Sequence, residues 1–164
     1  MKALLRKTYT LTVFKIVLHL LAPLSKRPKL ARPVRLFMRI LARTVHWSSG
    51  SPTAGSPESL AQVWQRLMPS SREFPIPGDA YFASNSRNED LPGFRDELSP
   101  GQIHLHCPLR GSGNRHACHQ LMEFDRELMR RSGGELHVLD SQSDSGRPYC
   151  TVGIAVSGPK ERSS

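Results

Sequence analysis

The stretch QIHLHCPLRGSGNRHACHQLMEFDRELMRRSGGELHVLDSQSDSGRPYCTVGIAV, residues 102–156, decides the fold. Its first eight residues, 102–109, alternate as a strand does, and RGSGN, 110–114, turns the chain. Ala117, Leu121, Phe124 and Leu128 then recur at helical spacing through 115–132, until the paired glycines 133 and 134 stop the helix. ELHVLD, 135–140, and YCTVGIAV, 149–156, read as two further strands joined by the polar, turn-rich SQSDSGRP. The order strand, helix, strand, strand predicts a small α+β domain with its helix lying across a sheet.

Upstream of this stretch, Ser56, Pro57 and Glu58 form a helix start: a capping hydroxyl, a proline at the first helical position and an acid in the first turn. The helix that follows carries Leu60, Val63, Trp64 and Leu67 on one side and ends by Pro69. Residues 69–100 are rich in proline and keep no steady period, so they read as irregular loops with one strand near AYFAS, 80–84. A loop that long often covers a site. The predicted domain spans 58–158, followed by a disordered tail, 159–164.

SSGSPTAGSP, 48–57, reads as a linker, and it coincides with a shift in charge. Residues 1–50 hold eleven Lys and Arg and no acid, whereas the remainder holds twelve basic and fourteen acidic residues, so the net charge of +9 comes from the first part. Residues 1–47 are therefore expected to form a basic helical N-terminal arm that meets an anionic surface. The apolar run Leu11–Leu24 is interrupted by Lys15 and His19 and is followed by basic residues, which argues against a cleaved leader. Its fourteen residues fall short of the roughly 20 needed to cross a bilayer. Arg32, Arg35, Arg39 and Arg43 lie on one helical stripe, with Val34, Phe37, Met38, Leu41 and Val45 opposite. Such a helix suits the interface of an anionic membrane, and it equally suits docking on the domain with its arginines solvated. Nucleic acid ranks third, because few aromatics interleave with the positive charges to stack bases. Three cysteines, an odd number at irregular spacing, point to a reducing cytoplasm.

Residues 104–119 admit four readings. His104 and His106 on one strand face, with His116 and His119 a turn apart on the helix, could converge on a divalent metal, although no C-x-x-C or H-E-x-x-H spacing is present. Cys118, in the first helical turn beside His116 and His119, could be a nucleophile whose pKa the helix end and a histidine lower. Arg110, Gly111, Gly113, Asn114 and Arg115 could cradle a carboxylate or phosphate at the helix start. In the fourth reading the stretch is a strand turning into a helix, with Cys118 in the core and Asp125, Arg126 and Glu127 on a solvated face.

The block CHQLMEFDRELMRRSGGELHVLDSQSDSGRPYCTVGI, 118–154, resembles the closing segment of the L-2-amino-thiazoline-4-carboxylic acid hydrolase family, over about a third of the chain once Cys107 is included. The matching positions are Cys118 and Asp125 on a helix and Gly146 and Cys150 before the last strand, with Cys107 as the family's earlier cysteine. The resemblance implies a thiol-dependent hydrolase that opens a C–N or C–S bond in a small carboxylate-bearing heterocycle. On chemical grounds Cys118 would then attack, His116 or His119 would manage the proton, Arg110 or Arg115 would hold the carboxylate and Asp125 would orient a histidine. The alternative is a non-catalytic accessory protein that binds a metal or ligand through its His and Cys residues.

Overall fold

A computed structural model of the chain describes residues 2–67, 72–73 and 99–157. The strand expected at 80–84, most of the irregular segment 69–100 and the tail 159–164 lie outside the described residues. The class is α+β, with the N-terminal helices preceding the strands. Helices α1 (Lys2–Ser25) and α2 (Ala31–Ser48) are joined by a 3-10 turn at Pro28–Leu30 and followed by α3 (Pro57–Leu67). The Ser56 hydroxyl accepts from the Ser59 amide at 3.2 Å, which is the cap its position predicts. Four antiparallel strands lie in the order β1, β2, β4, β3: β1 (Arg72–Glu73), β2 (Ser99–Ile103), β3 (Gly134–Asp140) and β4 (Cys150–Val156).

Two boundaries differ from the sequence reading. Strand β2 ends at Ile103, opposite Cys150 where β4 begins. Past that point the chain has no ladder partner among the described strands, and Pro108 lacks the N–H that would extend one. The helix expected over 115–132 is two, α4 (Arg115–Leu121) and α5 (Glu123–Arg131), because Met122 between them has a ψ of −8°. The Asn114 carboxamide caps α4, accepting from the Ala117 amide at 2.9 Å. Within the link 141–148 the chain forms one more turn, α6 (Gln142–Ser145), closed by Gly146 in the left-handed region at φ 69°.

The central strand is β4, whose residues from Cys150 to Ile154 are all buried. Helix α3 reaches the sheet over Gly134: a Cβ there would fall 2.0 Å from a Leu60 methyl and 2.5 Å from the Ala155 carbonyl. Glycine at 134 therefore permits the close approach of helix and strand as well as following the helix stop. Trp64 of α3 is fully buried and donates from Nε1 to Asp125 of α5 at 2.9 Å.

Phe14 and Leu18 of α1 and Val34, Met38 and Ala42 of α2 belong to the same buried cluster as Leu109, Phe124, Leu128, Val152 and Ile154. The Phe14 and Phe124 rings meet with centroids 4.8 Å apart. Segment 48–57, read from sequence as a linker, is bonded at both sides: His46 Nε2 lies 3.0 Å from the Pro52 carbonyl, and the Ala54 amide donates to Ser132 at 2.9 Å. The N-terminal helices and the sheet share one core.

The arginine stripe explains how. Arg35 donates to Gln120 at 2.9 Å, Arg39 to Glu123 at 2.7 Å and Arg43 to Glu127 at 2.7 Å, so α2 lies along α4 and α5 in the same chain direction. These three arginines, expected to face headgroups or bulk solvent, are turned onto the domain, and Arg32 alone of the four stays exposed without a pairing of this kind. The physical reason lies on the partner helix. Asp125 and Glu127, read as part of a solvated face, and Glu123 beside them are each under 5 % exposed and need cationic or donor partners to remain buried. Glu127 collects Arg43, Arg130 and Arg131. Burial opposes its ionisation, but hydrogen bonds from Arg43 and Arg131 and the charge of Arg130 outweigh it and hold its carboxyl below the ordinary value of 4.5.

A carboxyl whose pKa is depressed by folding contributes stability that is fully present above the unfolded value and is lost as pH falls from there through the folded value. The thermal midpoint of the native chain should therefore fall as pH drops from neutral to below 4.5. Glu127→Gln should lower stability by about 2 kcal/mol at neutral pH, discounted because its arginines are half exposed, and should flatten the acid limb. An acid limb identical in the variant would show that Glu127 does not carry the linkage.

Candidate functional site

The residues singled out by sequence come together unevenly. The three thiols do converge: Cys107, after β2, Cys118, in α4, and Cys150, at the start of β4, all line one apolar void of about 40 Å³ with Leu105, Leu109 and Phe14. A void of that size in apolar walls holds little more than one water's share of volume and admits no substrate. The void is organised by Gln142, which sequence reasoning missed. Its carboxamide donates to the Leu105 carbonyl at 2.6 Å and accepts from the Cys107 amide at 3.3 Å, while its own amide donates to Cys150 Sγ at 3.3 Å. A glutamine in a polar, turn-rich link gives no sequence signal of burial, although here it is 1 % exposed.

The thiols are held protonated. Burial pushes Cys118 up to about 11, against hydrogen bonding from Ser141, and the neighbouring Cys107 and Asp144 add to the rise. Burial pushes Cys150 up to about 12 against the Gln142 amide, with Cys118 and Cys107 adding to it. Cys107 is raised by burial too, offset in part by the Leu109 amide. The expectation that the helix end lowers Cys118 is thereby reversed. Helix α4 is seven residues long and the Cys118 amide is already bonded to the Asn114 carbonyl at 3.1 Å, so desolvation outweighs the small dipole.

The glycine turn does not offer its amides to a ligand. Gly111 N–H donates to the Gln142 carbonyl at 2.8 Å and Gly113 N–H to the Ser143 carbonyl at 2.9 Å, while Asn114 caps α4. Arg110 reaches back to the Gly146 carbonyl at 2.7 Å. The turn is a clasp that seats α6, with Gly111 and Gly146 facing each other at ordinary contact distance. Both glycines have positive φ, 66° and 69°, and that conformation is what favours glycine there.

The histidines disperse. His104 lies beside Tyr149, ring centroids 5.4 Å apart, and His106 stacks on His19 of α1 at 6.2 Å. His116 and His119 are exposed on α4. Among the described residues no group of three or more His, Cys, Asp or Glu is arranged to hold a metal ion. His104 and His106, both exposed on either side of the buried Leu105, thus meet different neighbours. Asp125, expected to orient a histidine, accepts from Trp64.

A second cavity carries the chemistry that can meet a ligand. It is an open polar cleft of about 250 Å³ whose walls include Arg115, His119 and Arg126, with Cys118 and Met122 common to it and the apolar void. Its far side is formed by Val138, Leu139, Ser141 and Asp144. The register shift between Val138 and Asp140 places Leu139 in a bulge there. Arg115 is paired with Asp144 at 2.8 Å. Arg126, half-buried, donates to the His119 carbonyl at 3.3 Å and has no carboxylate within ion-pair distance among the described residues. Partial burial, then the charges of Arg126 and Arg35, push His119 below its ordinary value, so its imidazole is neutral at pH 7. Arg126 is the functional candidate that sequence reasoning passed over, since one arginine in a helix rich in charge carries no distinguishing signal.

A thiol with a pKa of about 11 is ionised to about one part in ten thousand at pH 7. Alkylation of native Cys118 by iodoacetamide, followed by peptide mass spectrometry, should therefore accelerate roughly tenfold per pH unit from 7 to 10. A reaction that levels off below pH 8 would contradict the burial argument.

No family model, curated protein or solved structure matches this chain.

Proposed function

We propose that the cleft beside Cys118 binds a small carboxylate-bearing molecule and that the protein is a thiol-dependent hydrolase acting on it. The observation that carries this reading is Arg126, a half-buried guanidinium at a cleft wall with no carboxylate paired to it among the described residues. Desolvating such a group costs energy that a ligand carboxylate, bound through two parallel N–H donors, would offset. An apolar cavity of roughly 150 Å³ accommodates benzene, so about 250 Å³ suits a small heterocycle carrying a carboxylate. Arg115, with Asp144 already on it, supplies a second cation at the rim.

The resting pair is a thiol and a neutral imidazole. In the proposed reaction Cys118 passes its proton to His119 as the sulfur attacks the electrophilic carbon of the bound molecule. The imidazolium returns that proton to the departing nitrogen or sulfur as the C–N or C–S bond breaks. Water then cleaves the sulfur adduct and restores the thiol. Arg126 takes the carboxylate-holding role that the sequence reading gave to Arg110 or Arg115, which are engaged with Gly146 and Asp144.

One observation favours a second reading. Cys118 at about 11 suits a protein that binds the same class of molecule without turning it over. The two separate on one substrate, L-2-amino-thiazoline-4-carboxylate, followed by calorimetry for binding and chromatography for ring opening. The hydrolase predicts turnover that falls at least a hundredfold in Cys118→Ser with binding retained, and binding weakened at least tenfold in Arg126→Met. Binding without turnover would favour the accessory role. Neither binding nor turnover, for this or other small heterocyclic carboxylates, would refute both.

A further inference from the structure

With Arg35, Arg39 and Arg43 bonded to α4 and α5, much of the surface that α2 leaves outward is apolar, with Thr44 interrupting it. Leu36, Phe37, Ile40 and Trp47 are exposed, and Trp47 is the most so at 77 %. Leu36, Ile40 and Trp47 fall at i, i+4 and i+11, a single stripe opposite the buried Val34, Met38 and Ala42. On α1 the exposed Ile16, Leu20 and Leu24 repeat every four residues, opposite the buried Phe14, Leu18 and Ala22. Contiguous apolar faces of this kind are uncommon on a protein surface that meets only water.

The charge around these faces names the occupant. Lys26, Arg27, Lys29 and Arg32, all exposed, cluster where α1 passes into α2, and Lys15 is exposed on α1. No acidic residue precedes Glu58. A second copy of the chain laid on this face would set Lys26, Arg27, Lys29 and Arg32 against the same cations, whereas an anionic headgroup layer meets the cluster favourably. No helix among the described residues is long and apolar enough to cross a membrane, so the geometry is that of helices lying in the interface. Tryptophan is enriched at that depth, where its ring is half in hydrocarbon and its N–H reaches water. We infer that the exposed apolar stripes of α1 and α2, with the cationic cluster at their junction, dock this protein on the surface of an anionic lipid bilayer.

The binding device thus differs from the arginine stripe expected from sequence. Leucine, phenylalanine, isoleucine and tryptophan enter the interface, and cations of the interhelical turn, rather than Arg35, Arg39 and Arg43, meet the phosphates. This surface is independent of the proposed cleft chemistry.

The test uses the full chain with vesicles of phosphatidylserine and phosphatidylcholine in equal parts, and vesicles of phosphatidylcholine alone. Co-sedimentation should favour the anionic vesicles, and tryptophan emission should shift to the blue. Trp64 is fully buried and Trp47 exposed, so Trp47→Phe should retain binding while abolishing the shift. Replacing Lys26, Arg27, Lys29 and Arg32 by Gln together, or Leu36 and Ile40 by Ser together, should each weaken binding at least tenfold with unchanged circular dichroism. Arg35, Arg39 and Arg43 are left intact because their loss would disturb the fold. Absence of binding to anionic vesicles, or binding untouched by both sets of substitutions, would overturn the inference. A dimer dispersed by Leu36→Ser with Ile40→Ser, in a chain that ignores vesicles, would assign the face to self-association instead.

Discussion

Burying Glu123 and Glu127 on a helix that packs against a sheet is a demand that the rest of this fold answers. An isolated buried carboxylate is too costly to keep, so each needs a cation brought to it at hydrogen-bond distance. Helix α2 supplies them at four-residue spacing, Arg39 to Glu123 and Arg43 to Glu127, with Arg35 to Gln120 completing the row. Their partners are spaced three and four residues apart on α4 and α5, so the two sets stay in register only if the helices lie side by side in one direction. That single constraint fixes which way α2 is rolled about its axis.

The roll has two consequences. It carries Val34, Met38 and Ala42 into the core that contains Phe124 and Leu128, and α1 follows, with Phe14 on Phe124. It also leaves Leu36, Phe37, Ile40 and Trp47 in solvent. Polar contacts on the inner flank and apolar side chains outside are the reverse of what an amphipathic helix shows when hydrophobic burial alone sets its orientation. The inner helix face here is apolar too, so burial and ion pairing cooperate, and the excess of apolar residues goes outward.

Much of the fold was legible. The strand order after residue 134, the helix start at Ser56 and the stop at Gly133 follow from alternation, a capping hydroxyl and glycine, and these are local signals. What was not legible depended on neighbours distant in sequence. The alternation of 102–109 continues through Leu105 and Leu109, yet pairing stops at Ile103 because β4 begins opposite it. The period of the arginine stripe was read correctly while its direction was not, since nothing in 32–43 reveals that buried carboxylates wait some 84 residues away. Segment 48–57 has a linker's composition, yet its bonds to His46 and Ser132 and the packing of Ala54 on the core tie it down.

The candidate site divides along the same line. Cys107, Cys118 and Cys150 were grouped only through the family resemblance, and the fold brings all three to one void. Their protonation was not legible, because it comes from burial by α1 residues far upstream. The docking of α2 on α5 is the claim on which core, cleft and outward face all rest. A double-mutant cycle with Arg39→Met and Glu123→Gln measures it most directly by chemical denaturation. The account predicts that the two substitutions are non-additive, with a coupling of about 1 kcal/mol or more favouring the native pair. Additivity to within about 0.3 kcal/mol would mean that these side chains do not meet and would contradict it.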